Sequence, residues 1–278
     1  MSRTRPAEKE PLDQAELIRQ VLSSRKYRNL GIPEATVRDL IQQAGVLEKD
    51  PKAIEKLVKQ RMHNLVAPYL GDADYDEAAK SLDAAFASPS DEGIRNVCIH
   101  IMASHASTRE RLPILAEFYR AVFAETGVPN SILDLACGLN PFALPWMSLP
   151  PSTVYHAYDI VEPRIRLINY FLRLNGRPEL AETRDILVQP PEEHADVAFF
   201  FKEAHRFEQR QKHSNRAFWQ SIPAKILLVS LPTANLTGSH SKLDQHRRLV
   251  YDAVEGLPWQ VKELLFENEI VFCIRKNA

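Results

Sequence analysis

Cysteine is scarce. The 278-residue chain holds three, Cys98, Cys137 and Cys273, lying far apart with no CxxC and no His/Cys grouping at metal-ligand spacing. That spacing excludes a disulfide framework and a zinc or iron–sulfur module, and a reduced, metal-free protein is expected. Long apolar runs are also missing: none approaches the ~20 residues that span a bilayer. Met1 to Glu10 is charged and has no apolar core, so no secretory signal is expected and the cytoplasm is the expected compartment. No internal repeat or low-complexity tract is present. Nor is there an excess of charge of either sign: the formal net charge is −1, which excludes a surface coated in positive charge.

What is present is ordinary globular material, 45% hydrophobic and 26% charged, in a length that suits one large domain with a helical extension. The charge is unevenly distributed. Met1 to Leu70 carries 13 Lys/Arg against 9 Asp/Glu, whereas Gly71 to His100 carries 2 against 7. Basic residues return between Lys202 and Arg216, with 5 against 2. A polyanion could find local footholds on such a chain, although charge runs are more often solvated helix faces.

The first ~125 residues read as helices. Leu12, Ala15, Ile18, Val21 and Leu22 recur at helical spacing. Pro33 opens a segment with Val37, Leu40, Ile41 and Ala44 on one face, closed by Gly45. Asp50-Pro51 is an N-cap followed by a first-turn proline, leading into Ile54, Leu57, Val58, Met62 and Leu65. Further helices are expected over Asp74–Ala87, Ser90–Ser104 and Thr108–Glu125. The pattern changes at Gly127-Val128-Pro129-Asn130. Strand-like runs now alternate with helix-length segments: Ile132–Ala136, Val154–Asp159, roughly Leu180–Asp185, Asp196–Phe201 and Lys225–Leu231. That alternation predicts a parallel sheet with crossover helices, and the continuous apolar runs suit a sheet buried on both faces. Trp259–Phe266 and Glu269–Arg275 are separated only by Glu267-Asn268, which allows a hairpin and no crossover helix. The expected fold is therefore α/β, a Rossmann-like sheet of the class I methyltransferase kind with a terminal antiparallel hairpin, preceded by an all-helical N-terminal domain. The domain boundary is expected at 105/106.

The strongest local signal is Ile132-Leu133-Asp134-Leu135-Ala136-Cys137-Gly138-Leu139-Asn140-Pro141, a strand running into a turn of small residues with a helix opening at Pro141. Ala136 and Gly138 would let a ligand approach the backbone closely. One glycine stands where a dinucleotide fingerprint has three, and no helix N-terminus is clearly prepared for a pyrophosphate. A phosphate-free nucleoside cofactor, S-adenosylmethionine, fits that loop better than NAD; the alternative is an ordinary glycine turn. Asp159 ends the second strand, 21 residues after Gly138, where a carboxylate can accept from ribose hydroxyls. Asp185-Ile186 would bring a carboxylate and an aliphatic face to the adenine. Taken alone, an Asp at a strand end is more often a cap, and Arg111 reads as a helix-surface arginine paired with Glu110 or Glu117.

The strings His105-Ala106-Ser107-Thr108-Arg109-Glu110-Arg111-Leu112-Pro113 and Asp134-Leu135-Ala136-Cys137-Gly138-Leu139-Asn140-Pro141 together resemble the Arm/Rmt, or FmrO-like, family. These are 16S ribosomal RNA guanine-N7 methyltransferases that confer aminoglycoside resistance. The similarity extends to Ser24-Arg25-Lys26-Tyr27, Leu231-Pro232-Thr233 and Phe266-Glu267-Asn268-Glu269-Ile270. The resemblance implies that Arg111 pairs with the methionine carboxylate of S-adenosylmethionine, with His105, Ala106 and Ser107 beside it. It assigns Ala136 and Gly138 to the cofactor loop, Asp159 to the ribose, and Asp185 and Ile186 to the adenine. Phe201 lines the site, and Lys202 and Glu208 shape the approach of the target base as catalytic residues. The expected partner is 16S rRNA in the 30S subunit and the expected state a monomer; the basic excess of Met1 to Leu70, including Arg25, Lys26 and Arg28, points to docking through the helical N-terminus, with Lys242 and Arg247 as further RNA-binding candidates. After Pro232-Thr233 the chain departs from the family: Ala234 stands where a basic residue is expected, and Ser239 where an arginine follows Gly238. Lys242, Arg247 and Arg248 could compensate.

Guanine N7 has an in-plane lone pair and no proton at neutral pH, so the absence of a base or nucleophile triad is expected and catalysis rests on orientation. The N7 edge lies in the deep groove of A-form RNA, so the target must leave the stack, and Phe207 or Trp146 could receive it. Three rival readings stay open at this level: a methyltransferase acting on a small metabolite, a nicotinamide-dependent oxidoreductase, and a catalytically silent RNA-binding homologue.

Overall fold

The structure, a computed structural model, describes residues 12–67, 74–233 and 241–276. The chain divides into two compact units, Met1–Leu70 and Gly71–Ala278. The first is helical: α1 (Gln14–Leu22), α2 (Glu34–Leu47) and α3 (Pro51–Val66). Their starts are written locally. The Asp13 carboxylate accepts from the Glu16 amide at 3.0 Å and Asp50 from Ala53 at 3.2 Å, each satisfying an amide that has no partner within the helix. Ile18, Val21, Val37, Leu40, Ile41, Val58 and Met62 are buried as helical spacing suggested, whereas in α1 Ala15 is exposed and Leu17 takes the buried place.

The second unit begins with α4 (Tyr75–Ala87) and α5 (Asp91–Ala103), capped by Asp74 and Ser90. Both helices lie inside this unit, whereas the boundary expected from sequence, 105/106, cuts it. The physical reason is shared burial: Leu82, Cys98, Ile101 and Met102 belong to the same core as Phe118, Phe171 and Phe199. The long helix expected over Thr108–Glu125 is two helices. α6 (Ala106–Arg111) passes through a 3-10 turn at Leu112–Ile114 into α7 (Leu115–Thr126). Pro113 has no amide hydrogen to continue the ladder, so periodicity carries on across a break that the proline makes.

The sheet has seven strands in the order β3-β2-β1-β4-β5-β7-β6. They are β1 (Ser131–Leu135), β2 (Val154–Asp159), β3 (Ala181–Thr183), β4 (Ala195–Phe201), β5 (Ala224–Pro232), β6 (Trp259–Leu265) and β7 (Glu269–Lys276). All pairings among β1 to β5 are parallel; β7 runs antiparallel to both β5 and β6, and the short connection through Phe266, Glu267 and Asn268 accounts for the β6–β7 hairpin. Alternate residues of each central strand enter different cores. Ile132, Val197, Phe199, Phe201, Ile226 and Leu228 pack on one face, and Leu133, Leu135, Ala198, Phe200, Leu227 and Val229 on the other. Helices α9 (Glu162–Leu174), α10 (Ala204–Arg210), α11 (Ser214–Ser221) and α12 (Ser241–Val254) complete the layers. The helix expected at Pro141 is a 3-10 turn, Asn140–Ala143, followed by the four-residue α8 (Leu144–Met147).

Candidate active site

Strand order reverses between β1 and β4, because β1 leads outward to β2 on one side while β4 leads to β5 on the other. Open α/β sheets bind ligands at such a reversal, outside the carboxyl ends of the strands. The backbone there is unusual. Ala136 follows β1 at φ +51°, Gly138 sits at +53°, and Lys202 follows β4 at +61°. A left-handed conformation costs a side-chain-bearing residue ~1–2 kcal/mol, so Ala136 and Lys202 are held there by their surroundings. The Cys137 amide donates to Tyr158 O at 2.8 Å and the Lys202 amide to Ser230 O at 2.8 Å, each tying the turn to a neighbouring strand. A Cβ on Gly138 would lie 3.2 Å from Cε1 of His105, so glycine lets that imidazole lie against the loop. The His105 ring is fixed in turn by the Ser107 hydroxyl, 2.9 Å from its Nδ1.

Asp159, buried at the end of β2, receives Gly138 N at 3.0 Å and Arg164 Nη1 at 2.8 Å on Oδ2, and Val161 N at 3.0 Å on Oδ1. The acid expected to meet the ribose therefore already anchors the loop after β1. A carboxylate has about four acceptor positions, and three described donors meet this one.

Arg111 is the centre of a buried ionic cluster and not the surface arginine that its local sequence suggests. Only 2% exposed, it donates Nε to Glu269 Oε2 at 3.0 Å, Nη2 to Oε1 at 2.5 Å, and Nη1 to Asn140 Oδ1 at 2.9 Å. Its guanidinium lies over the rings of Phe118 and Phe201, 4.4 and 4.5 Å from their centroids, and the two rings meet each other edge to face. Lys202 joins from β4: its ammonium is 2.8 Å from Glu110 Oε2 and 3.5 Å from Glu269 Oε2. Burial alone would raise the Glu269 carboxyl; Arg111 and Lys202 outweigh it and hold that group below the usual carboxylate range. Asp134 behaves differently. It accepts from Tyr155 OH at 2.6 Å and Asn140 Nδ2 at 2.9 Å, yet burial pushes it up to about 7. Tyr119 OH closes the cluster at 2.6 Å from Asn140 Oδ1.

His105, Ser107, Arg111, Ala136, Gly138, Asp159, Phe201 and Lys202 thus converge around the ends of β1, β2 and β4, with Ala106 opening α6. Asp185 lies two residues beyond β3 and is paired with Arg210 at 2.8 Å, while Ile186 next to it is buried in the core. Glu208 stands apart on α10, accepting from His213 N at 2.7 Å and Asn215 Nδ2 at 3.3 Å. Phe207 packs 4.9 Å from Phe200 and 5.1 Å from Phe218 as core, whereas half-buried Trp146 has Arg95 over its ring at 5.8 Å. Arg247 is held by Glu263 at 2.8 Å, Lys242 is half-buried on α12, and Ala234 and Ser239 fall outside the described residues. In the first unit Arg25, Lys26 and Arg28 are exposed around buried Tyr27.

Glu269, Asn140, Tyr119 and Tyr155 were not singled out by sequence reasoning, nor was Asp134 as a buried charge. One signal was available for Glu269: it is the acid in the otherwise apolar strand Glu269-Ile270-Val271-Phe272-Cys273-Ile274.

Compared with known proteins, residues 23–272 match the family profile described as ribosomal RNA methyltransferase (FmrO). The chain is 32% identical over 279 residues to a 16S rRNA (guanine(1405)-N(7))-methyltransferase of Micromonospora echinospora, covering 98% of this chain and 100% of that one. A Micromonospora rosea protein of the same name is 31% identical, over 94% and 96% of the two chains. The structure of the 16S rRNA methyltransferase RmtF in complex with S-adenosyl-L-homocysteine superposes with a TM-score of 0.76 at 27% identity, covering 95% of this chain and 98% of that one.

Proposed function

Because the chain belongs to the FmrO family of ribosomal RNA methyltransferases, we infer that it methylates N7 of the decoding-site guanine of 16S rRNA, position 1405 in its relatives' names. The observation that carries this is similarity along the whole chain to enzymes of that one specificity. The protein is an S-adenosylmethionine-dependent methyltransferase, and S-adenosylmethionine supplies an electrophilic methyl group on a sulfonium. The chain's own residues fit it. Ala136 and Gly138 at positive φ keep side chains away from the end of β1, and Asp159, the carboxylate at the end of β2 that already holds the Gly138 amide, is the acceptor for a ribose hydroxyl. Asp185 and Ile186 border the adenine, and Arg111 with the His105–Ser107 pair faces the methionine carboxylate.

No proton has to leave guanine N7, so the protein's task is alignment. Lys202, held at positive φ beside Glu110, shapes the entry of the flipped-out base, with Glu208 at the rim of α10. The first unit docks on the 30S subunit through Arg25, Lys26 and Arg28, and Lys242 and Arg247 contribute from α12. The protein acts as a monomer in the cytoplasm. A methyl group and positive charge at N7 would repel a cationic aminoglycoside, which makes drug resistance the cellular consequence.

The test is methyl transfer from labelled S-adenosylmethionine to isolated ribosomal subunits. Label is expected in 16S rRNA of 30S subunits, with a rate that falls as salt rises. Label confined to small-molecule acceptors would overturn the reading.

A further inference from the structure

Arg111 offers five N–H donors, and the structure accounts for four. Nε–H and one Nη2–H bind Glu269, the second Nη2–H faces Ser230 Oγ at 3.5 Å, and one Nη1–H binds Asn140 Oδ1. The orientation of the Asn140 amide decides which way that last contact works. Its Nδ2 donates to Asp134 Oδ2 at 2.9 Å, while Oδ1 accepts from both Arg111 and Tyr119. Turned over, the amide would set NH2 against the guanidinium and oxygen against the carboxylate, two repulsive contacts in a buried site. Ionised Asp134, held by Tyr155 OH, therefore locks Asn140, and Asn140 locks the plane of Arg111.

We propose that Asp134 and Asn140 are positioning residues for the cofactor: through them Arg111 presents one fixed Nη1–H to the methionine carboxylate, and not a two-pronged fork. This rests on the reading that Arg111 meets that carboxylate. The groups facing Asp134 are Tyr155 and Asp159 of β2, Arg111 of α6, Tyr119 of α7, and Asn140 and Cys137 of the β1 loop. If its carboxyl is protonated it can donate to the Asn140 oxygen, and the lock opens.

The test compares S-adenosylmethionine with 5′-methylthioadenosine, which keeps the nucleoside and lacks the amino-acid carboxylate. Calorimetry on the full chain should show preference for S-adenosylmethionine, since a charge-assisted hydrogen bond is worth about tenfold or more in affinity. Asn140→Ala and Asp134→Asn should lose most of that preference while holding methylthioadenosine as the parent protein does. In the parent the preference should shrink as pH falls through about 7, where Asp134 takes up a proton, and in Asp134→Asn it should be flat. Tyr119→Phe, a milder change that removes one partner of Asn140, serves if the others fail to fold, and should lose part of the preference. Equal weakening of both ligands in these variants would make the relay merely structural and overturn the proposal. Loss of preference in Arg111→Lys but not in the relay variants would also overturn it, with the Arg111 assignment intact. No preference in the parent protein would instead overturn the assignment of Arg111, and the relay with it.

Discussion

Two arginines on the hairpin side of the sheet form the same pair and mean different things. Arg111 grips Glu269 of β7 through Nε and Nη2, and Arg247 grips Glu263 of β6 through the same atoms. The first pair is 2% and 0% exposed, the second 36% and 24%. At the surface, water screens the attraction and solvates either partner when the other is lost. In the core, neither group can be left alone. Geometry thus says which groups touch, and burial says what the touching does: one pair organises the end of the sheet that holds the site, the other pins an edge strand.

The contrast can be broken at its strong end. Glu269→Ala strands a buried guanidinium, and a loss of ~3–5 kcal/mol in urea unfolding is expected, while Glu269→Gln should be milder. If the alanine variant unfolds with the parent midpoint, the cluster is not the structural centre described here. Asp159 tests the region between the extremes. Asp159→Asn removes the carboxylate charge that meets the fully buried Arg164 and weakens the hold on Gly138, so both thermal stability and S-adenosylmethionine affinity should fall. Calorimetry giving unchanged affinity in the folded variant would remove Asp159 from the ribose site.

Smaller effects should appear as pH dependence. Asp134 is raised to about 7, so the stability it contributes is complete below its unfolded value near 3.8 and fades as pH rises through 7. His205, packed 5.9 Å from His246, is lowered by burial to about 4. Its contribution is present above 6.5 and fades as pH falls toward 4. The two slopes oppose each other between pH 4 and 7. His205→Gln should therefore make denaturation less acid-sensitive, and Asp134→Asn should remove the loss toward pH 7; shifts of the opposite sign in unfolding midpoints would refute these assignments. The smallest effect belongs to Arg247→Ala, which should leave the unfolding midpoint unresolved from the parent's but flatten the salt dependence of 30S binding by about one unit of slope. An unchanged slope would mean that Glu263 keeps Arg247 from RNA.

The same division explains what the sequence could reveal. The central strands were legible from their apolar runs, and the hairpin from the few residues available to join β6 and β7. The loop at Ala136 to Gly138 was legible because close approach of a backbone demands small side chains. The Arg111–Glu269 pair was not, since its members lie 158 positions apart and a salt bridge leaves no periodic trace. The placement of α4 and α5 was hidden likewise: an amphipathic stripe tells that a helix is buried on one side, and not against which core. Glu208, carried over by resemblance, and Arg247, a candidate compensating basic residue, lie where local carboxylate and amide contacts also hold them, a matter of side-chain neighbours that spacing does not encode.

The central claim is tested most directly by mapping the modified nucleotide. 16S rRNA from 30S subunits treated with the protein and S-adenosylmethionine would be reduced with borohydride and cleaved with aniline, which breaks the chain at 7-methylguanosine. A single new cleavage at the decoding-site guanine that the relatives' names specify is the expected result. Cleavage at another nucleotide, or none in RNA that has taken up the methyl group, would contradict it.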